Sequence, residues 1–176
     1  MRQLKKPSDV IEMLNLYGPM IVADFGAGAG FFAIPIAERI SSSGKVFAID
    51  IQEEPLEVLR KNARDKHLHN IHTLRGDLER RGGSRLKNES VDLVLITHVL
   101  FQAEKKEHIA QEAFRVLKKG GTLVIVEWYM GSPVGPRIED RIPKDTIASL
   151  LTPLGFALQD EFLMGNHSYG IILKKS

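Results

Sequence analysis

Three acids, a glycine-rich turn and one histidine carry the chemistry in this chain. Val22-Ala23-Asp24-Phe25-Gly26-Ala27-Gly28-Ala29-Gly30 is an apolar, strand-like run that ends in an acid and then alternates glycine with small residues. An apolar periodic stretch follows, so the glycines fall at a strand-to-helix turn, where a ligand can come close to main-chain N–H groups. Asp50 ends a second apolar run about 20 residues beyond Gly30. At that spacing an acid accepts hydrogen bonds from ribose hydroxyls; capping a helix is its competing role. Asp77 follows a third run and Gly76, and Thr97-His98 follows a fourth. His98 is the candidate general base, because an ordinary imidazole titrates near neutrality; its competing role is structural.

The elements that must position these residues are legible as an alternation. Short β-branched runs at Met20–Phe25, Lys45–Ile49, Asn70–Leu74, Val91–Ile96 and Thr122–Glu127 read as buried parallel strands. Between them lie helical stretches at Phe31–Ser41, Pro55–Lys66 and Lys105–Leu117, and a short turn near Leu78–Arg81. The order βαβαβ defines an α/β, doubly wound sheet whose strand ends gather on one carboxyl edge, where open sheets of this type bind ligands. Asp24, Asp50, Asp77 and Thr97-His98 therefore meet there. Glu127, Trp128 and Tyr129 end the fifth strand on the same edge, and His167 and Tyr169 flank a final hairpin turning at Gly165-Asn166. All of these are candidates to line an acceptor pocket.

A leading helix within residues 1–18, opened by Pro7-Ser8-Asp9, either lies across the ligand as a lid or covers the sheet. Residues 19–176 form the core of a single domain. Gly131-Ser132-Pro133-Val134-Gly135-Pro136 is the expected mobile loop, with a helix from Lys144 to Leu154 beyond it. Arg137, Glu139, Asp140 and Arg141 follow the loop and either bind a charged acceptor or form an exposed ion-pair cluster.

Composition narrows the classes. The 24 basic residues nearly balance 22 acidic ones, and a net charge of +2 gives no argument for nucleic acid. Cysteine is absent, which excludes disulfides, thiolate metal sites and a cysteine nucleophile of this chain. The six histidines show no metal-ligand spacing, so no metal is expected. No apolar run approaches a membrane span and no cleavable leader is evident, which fits a cytoplasmic protein. Self-association is left open.

On these motifs the chain resembles the class I S-adenosylmethionine-dependent methyltransferases from Met20 to Lys174. The segments are VADFGAGAG, FAIDI, RGDLE, SVDLVLITHVL and EAFRVLKKGGTLVIVEW, and the look is closest to the small-metabolite type of ubiquinone and menaquinone biosynthesis. The resemblance implies a Rossmann-like, seven-stranded sheet, mostly parallel with an antiparallel last strand. It implies S-adenosylmethionine as cofactor and a small-molecule acceptor. It would place Asp24 at the cofactor's amino group, Gly26, Ala27, Gly28 and Gly30 against its methionine part, Asp50 on the ribose, Ile51 on the adenine face, Asp77 and Leu78 on the adenine edge, and Thr97 at the amino acid portion. Acceptor contacts are expected from Glu127, Trp128, Tyr129, Arg137 and His167.

Other readings stay in view. An RNA or protein methyltransferase and a non-catalytic cofactor-binding subunit are two. A nicotinamide dinucleotide protein is the third, since Gly28-Ala29-Gly30-Phe31-Phe32-Ala33 satisfies G-x-G-x-x-G/A. Against the last stands Asp24, which would repel a pyrophosphate and suits a cation. The missing cysteine argues against arsenic methylation.

Overall fold

The computed structural model describes residues 2–4, 6–14 and 16–176. Its strands are β1 (Arg2–Leu4), β2 (Ile21–Phe25), β3 (Lys45–Asp50), β4 (Ile71–Arg75), β5 (Val91–Thr97), β6 (Leu117–Trp128), β7 (Phe156–Met164) and β8 (Ser168–Lys175). Its helices are α1 (Pro7–Met13), α2 (Ala33–Arg39), α3 (Glu53–Asp65), α4 (Lys106–Val116) and α5 (Lys144–Leu151).

The strands form one sheet in the order β1-β7-β8-β6-β5-β2-β3-β4. From β6 to β4 every pairing is parallel, and β8 runs antiparallel to both β6 and β7. The chain leaves the centre at β2, builds outward through β3 and β4, then returns to start again at β5. This reversal beside β2 is the switch point where a crevice must open.

Alternation along the central strands explains why they are apolar on both faces. Ala23, Val94, Ile96, Leu123 and Ile125 pack on one face against Ile109, Ala113 and Val116 of α4 and Ile147 and Leu151 of α5. Their neighbours Val22, Leu93, Leu95, Val124 and Val126 pack on the other face, against Val10 and Ile11 of α1, Ile36 of α2 and Leu56 and Leu59 of α3. With helices on both faces, no residue of these runs needs to be polar, yet two acids, Asp24 and Glu127, are buried among them.

The sheet has eight strands where the resemblance implies seven. The additional one is β1, which adds parallel to the outside of β7 through Arg2↔Phe162, Gln3↔Leu163 and Leu4↔Met164. Three residues carry too little periodicity to announce a strand. Helix α1 is also shorter than the leading segment suggests. Its Val10 and Ile11 are buried against the sheet, so it covers a face, and among the described residues of this segment only Lys6 ahead of it and Pro7 at its start reach the cleft described below. The stretch near Leu78–Arg81 is a succession of turns. It is held from α4, where the buried Glu112 carboxylate accepts the Gly82 and Ser84 amides and the Ser84 hydroxyl. Burial opposes ionisation of Glu112, yet the bonds from Arg115 and Ser84 outweigh it and hold the carboxyl below its usual range. Among the described residues no helix is long and apolar enough to cross a membrane.

Candidate functional site

The carboxyl ends of β2, β3 and β5, with the turn after β4, enclose two adjoining cavities of about 460 and 440 Å³ that share Gly26, Gly28 and His98. Together they form one cleft at the switch point.

The glycine turn is fixed by its neighbours. The Gly26 and Ala27 amides donate to the Ile49 carbonyl at 2.8 and 3.0 Å. Gly26 has φ +78°, and a Cβ there would stand 2.2 Å from the Val99 Cγ2, so only glycine lets the β5 end close on the turn. Gly28, at φ +52°, faces open space within the cleft. Its amide donates to Asp50 Oδ2 at 2.9 Å, while Asp50 Oδ1 accepts the Gln52 amide at 2.9 Å at the start of α3. Asp50 therefore braces both the glycine turn and the entry to α3 while also lining the first cavity. Ile51, Asp77 and Leu78 line that cavity too, and Asp77 is held by the Glu79 amide and by Arg80. Gly30 lines neither cavity. A Cβ at Gly30 would lie 2.3 Å from Leu59 Cδ1, so it serves the packing of the glycine turn against α3.

The second cavity is lined by Asp24, Ala27, Phe31, Phe32, Thr97, His98, Met164 and His167, with Lys6 at its rim. Asp24 is 2% exposed, and its Oδ2 has no hydrogen-bond partner among the described residues. Burial pushes its carboxyl up to about 7; the Ala33 amide partly offsets this and the Asp50 charge adds to it. Thr97 Oγ1 is likewise sealed and without a partner. A buried acid with a free oxygen is costly unless a cationic or hydrogen-bonding ligand completes it.

His98 sits in the left-handed region at φ +53°, a conformation that costs a non-glycine residue of the order of 1–3 kcal/mol and collects at functional sites. Its amide donates to the Val126 carbonyl at 2.8 Å, and its ring stacks on Trp128 at 4.4 Å between centroids. Nε2 lies 2.9 Å from the Ser168 hydroxyl. The expectation that this imidazole titrates near neutrality is corrected: burial, with the charge of His167 adding to it, pushes its pKa down to about 4.

The residues after β6 are placed differently from the sequence expectation. Glu127 is fully buried and lines neither cavity; its Oε1 accepts the Leu100 amide at 2.7 Å and so ties the segment after β5 to β6. Burial pushes its carboxyl up to about 7, against the opposing effect of nearby amides. Trp128 backs His98, and Tyr129 is half-exposed outside both cavities, its amide donating to the His167 carbonyl. Arg137 pairs at the surface with Glu139 and Asp140, away from the cleft. Arg141 is buried, and its guanidinium donates to the carbonyls of Tyr129, Met130, Ser132, Val134 and Pro136. The Gly/Pro-rich passage is thereby pinned from within. Of the expected acceptor residues only His167 reaches the cleft.

Sequence reasoning missed Lys6, Phe31, Phe32, Met164 and Ser168. Phe31, 80% exposed directly after the glycine turn, carried the one visible signal, since a large apolar side chain there has a wall to make. Ser168 had none, because its place follows from the β6–β8 register Trp128↔Ser168.

Comparison with known proteins agrees with this architecture. The family model described as a methyltransferase domain matches residues 18–152, and the chain belongs to that family. Among curated relatives, the human arsenite methyltransferase is 31% identical over 115 residues, which cover 61% of this chain and 30% of that protein. The demethylmenaquinone methyltransferase of Geobacillus stearothermophilus is 28% identical over 126 residues, covering 72% of this chain and 53% of that protein. The chain thus spans about a third to a half of these relatives. A solved structure of a SAM-dependent methyltransferase from Aquifex aeolicus shares the fold at a TM-score of 0.88 and 24% identity, covering 98% of this chain and 91% of that one.

Proposed function

We propose that this chain binds S-adenosylmethionine in the cleft and transfers its methyl group to a small molecule held in the second cavity. The observation that carries the reading is the sealed Asp24 carboxyl with a free Oδ2, beside the open Gly28 and in one cleft with Asp50 and Asp77. An ammonium group is the natural complement of that oxygen, whereas a pyrophosphate would be repelled there. Asp50 offers a carboxylate to ribose hydroxyls, Asp77 and the Leu78 backbone offer polar contacts to a purine edge, and Ile51 offers an apolar face. Thr97 completes the second cavity toward the amino acid portion. When bound, the sulfonium supplies an activated methyl group and a good leaving group, so what the chain adds is position.

The acceptor side is walled by Phe31, Phe32 and Met164, with His98 and His167 as polar points. That lining suits a small, largely apolar molecule. A chain without cysteine offers no thiolate to hold trivalent arsenic, which separates it from the chemistry named for its arsenite-methylating relatives.

The test is calorimetric titration with S-adenosylmethionine, S-adenosylhomocysteine, NAD and NADP, on wild type and Asp50→Ala. The sulfonium and its demethylated product are expected to bind, and the variant to lose about 10- to 100-fold through the missing charged acceptor. Binding of a nicotinamide dinucleotide alone would overturn the reading. Affinity for the sulfonium without methyl transfer to any small molecule would favour a cofactor-binding subunit.

A further inference from the structure

His98, Ser168 and His167 form a hydrogen-bonded chain in the wall of the second cavity. The buried Ser168 hydroxyl lies 2.9 Å from Nε2 of His98 and 3.1 Å from Nδ1 of His167. A hydroxyl has one proton, so it donates to one imidazole and accepts from the other. Two arrangements satisfy this. In one, His98 donates from Nε2 to Ser168, which donates to Nδ1 of His167; both rings then carry their neutral-state proton on Nε2, and Nδ1 of His98 is a lone pair. In the other every bond is reversed, both rings carry the proton on Nδ1, and His98 faces the cleft as a donor. Imidazole intrinsically favours Nε2–H, so the first arrangement is preferred at both rings.

Resting on the methyl-transfer reading, we propose that His98–Ser168–His167 is a proton relay that carries away the proton an acceptor loses as it is methylated. Among the described residues Nδ1 of His98 has no hydrogen-bond partner and is not among the sealed polar atoms, and the ring lines both cavities. The ring cannot swing away, because the strained backbone, the Val126 bond and the Trp128 stack hold it. Other charged groups facing the cleft are Asp24 from β2, Asp50 from β3, Asp77 and Glu79 after β4, and Lys6 before α1. None hydrogen-bonds either imidazole, so Ser168 is the polar partner of both rings among the described residues.

As the acceptor atom bonds to the methyl carbon, the carbon–sulfur bond breaks and its electron pair stays on sulfur. The acceptor proton passes to Nδ1 of His98. Nε2–H of His98 passes to Ser168, the Ser168 proton passes to Nδ1 of His167, and Nε2–H of that half-exposed ring is released to water. Both rings are left neutral with the proton on Nδ1, and the chain resets when water protonates Nε2 of His167, Nδ1–H of His167 passes to Ser168, the Ser168 proton passes to Nε2 of His98, and Nδ1–H of His98 is lost to the open cleft. Burial keeps His98 a weak base.

The deciding measurement is nitrogen-15 NMR of the histidine rings in the whole protein from pH 5 to 9, with and without S-adenosylhomocysteine. Both neutral rings are expected as Nε2–H. Binding of S-adenosylhomocysteine with His98 found as Nδ1–H overturns the relay and leaves the methyl-transfer reading standing. Absence of that binding overturns the methyl-transfer reading and the proposal built on it.

Discussion

Asp24→Asn should make the protein more stable and a poorer binder at the same time. The carboxyl is sealed at the end of β2 with one oxygen free, and burial moves it from 3.8 to about 7. A folded-state value above the unfolded one means that the folded chain retains a proton the unfolded chain releases. The stability conferred by that proton is fully present below about pH 4 and is lost as pH rises to about 7. At about 1.4 kcal/mol per tenfold change, the displacement sets a ceiling of about 4 kcal/mol on the penalty at pH 8. Asparagine cannot ionise, so the variant escapes that penalty. For a chain of this size about 2–4 °C accompanies each kcal/mol, and the variant should melt of the order of 10 °C higher at pH 8 and close to wild type at pH 4. An ammonium beside the ionised carboxylate offsets the same penalty in the complex. S-adenosylhomocysteine should therefore release a proton on binding to wild type at pH 6, read by calorimetry in buffers of different ionisation enthalpy. The variant should bind at least tenfold more weakly at pH 8 with no such release. Parallel melting curves for the two proteins across pH, or equal affinity, would refute the electrostatic argument.

Glu127→Gln keeps an oxygen for the Leu100 amide and removes a buried carboxyl displaced from 4.5 to about 7. With the same sign as Asp24, it should gain up to about 3 kcal/mol over wild type above pH 7 and little below pH 4.5, measured by urea unfolding. Gly170→Ala would place a methyl group 2.0–2.5 Å from ring atoms of Phe162, its cross-strand partner. Overpacking of this kind costs about 1–3 kcal/mol, and the β7–β8 pair should lose amide exchange protection in proportion. Arg141→Ala frees the carbonyls of the loop after β6. Exchange of the amides at 129–136 should accelerate, while affinity for S-adenosylhomocysteine, bound across the cleft, should change less than about threefold, since the loop touches neither cavity.

Local pattern sufficed for the elements and for bringing the acids of successive strand ends to one cleft. The β-branched runs, the glycines at 26, 28 and 30 and the acids closing successive strands are short-range signals. In a parallel sheet strand direction alone carries those acids to one edge, so Asp24, Asp50 and Asp77 were placed without any knowledge of packing. The acceptor side was not legible, because every role there depends on a partner distant in sequence. Glu127 resembles a pocket acid until the Leu100 amide, 27 residues earlier, is seen to occupy it. Arg141 resembles a ligand for an anion until the loop carbonyls consume its donors. Ser168 resembles nothing until the antiparallel register of β8 sets it against His98, 70 residues away. What the chain determined by itself was which strand ends meet and which carry acids. Burial and cross-strand register decided which side chains remain free to meet a ligand, since a polar group in the interior first goes to whatever backbone partner the packing brings within reach.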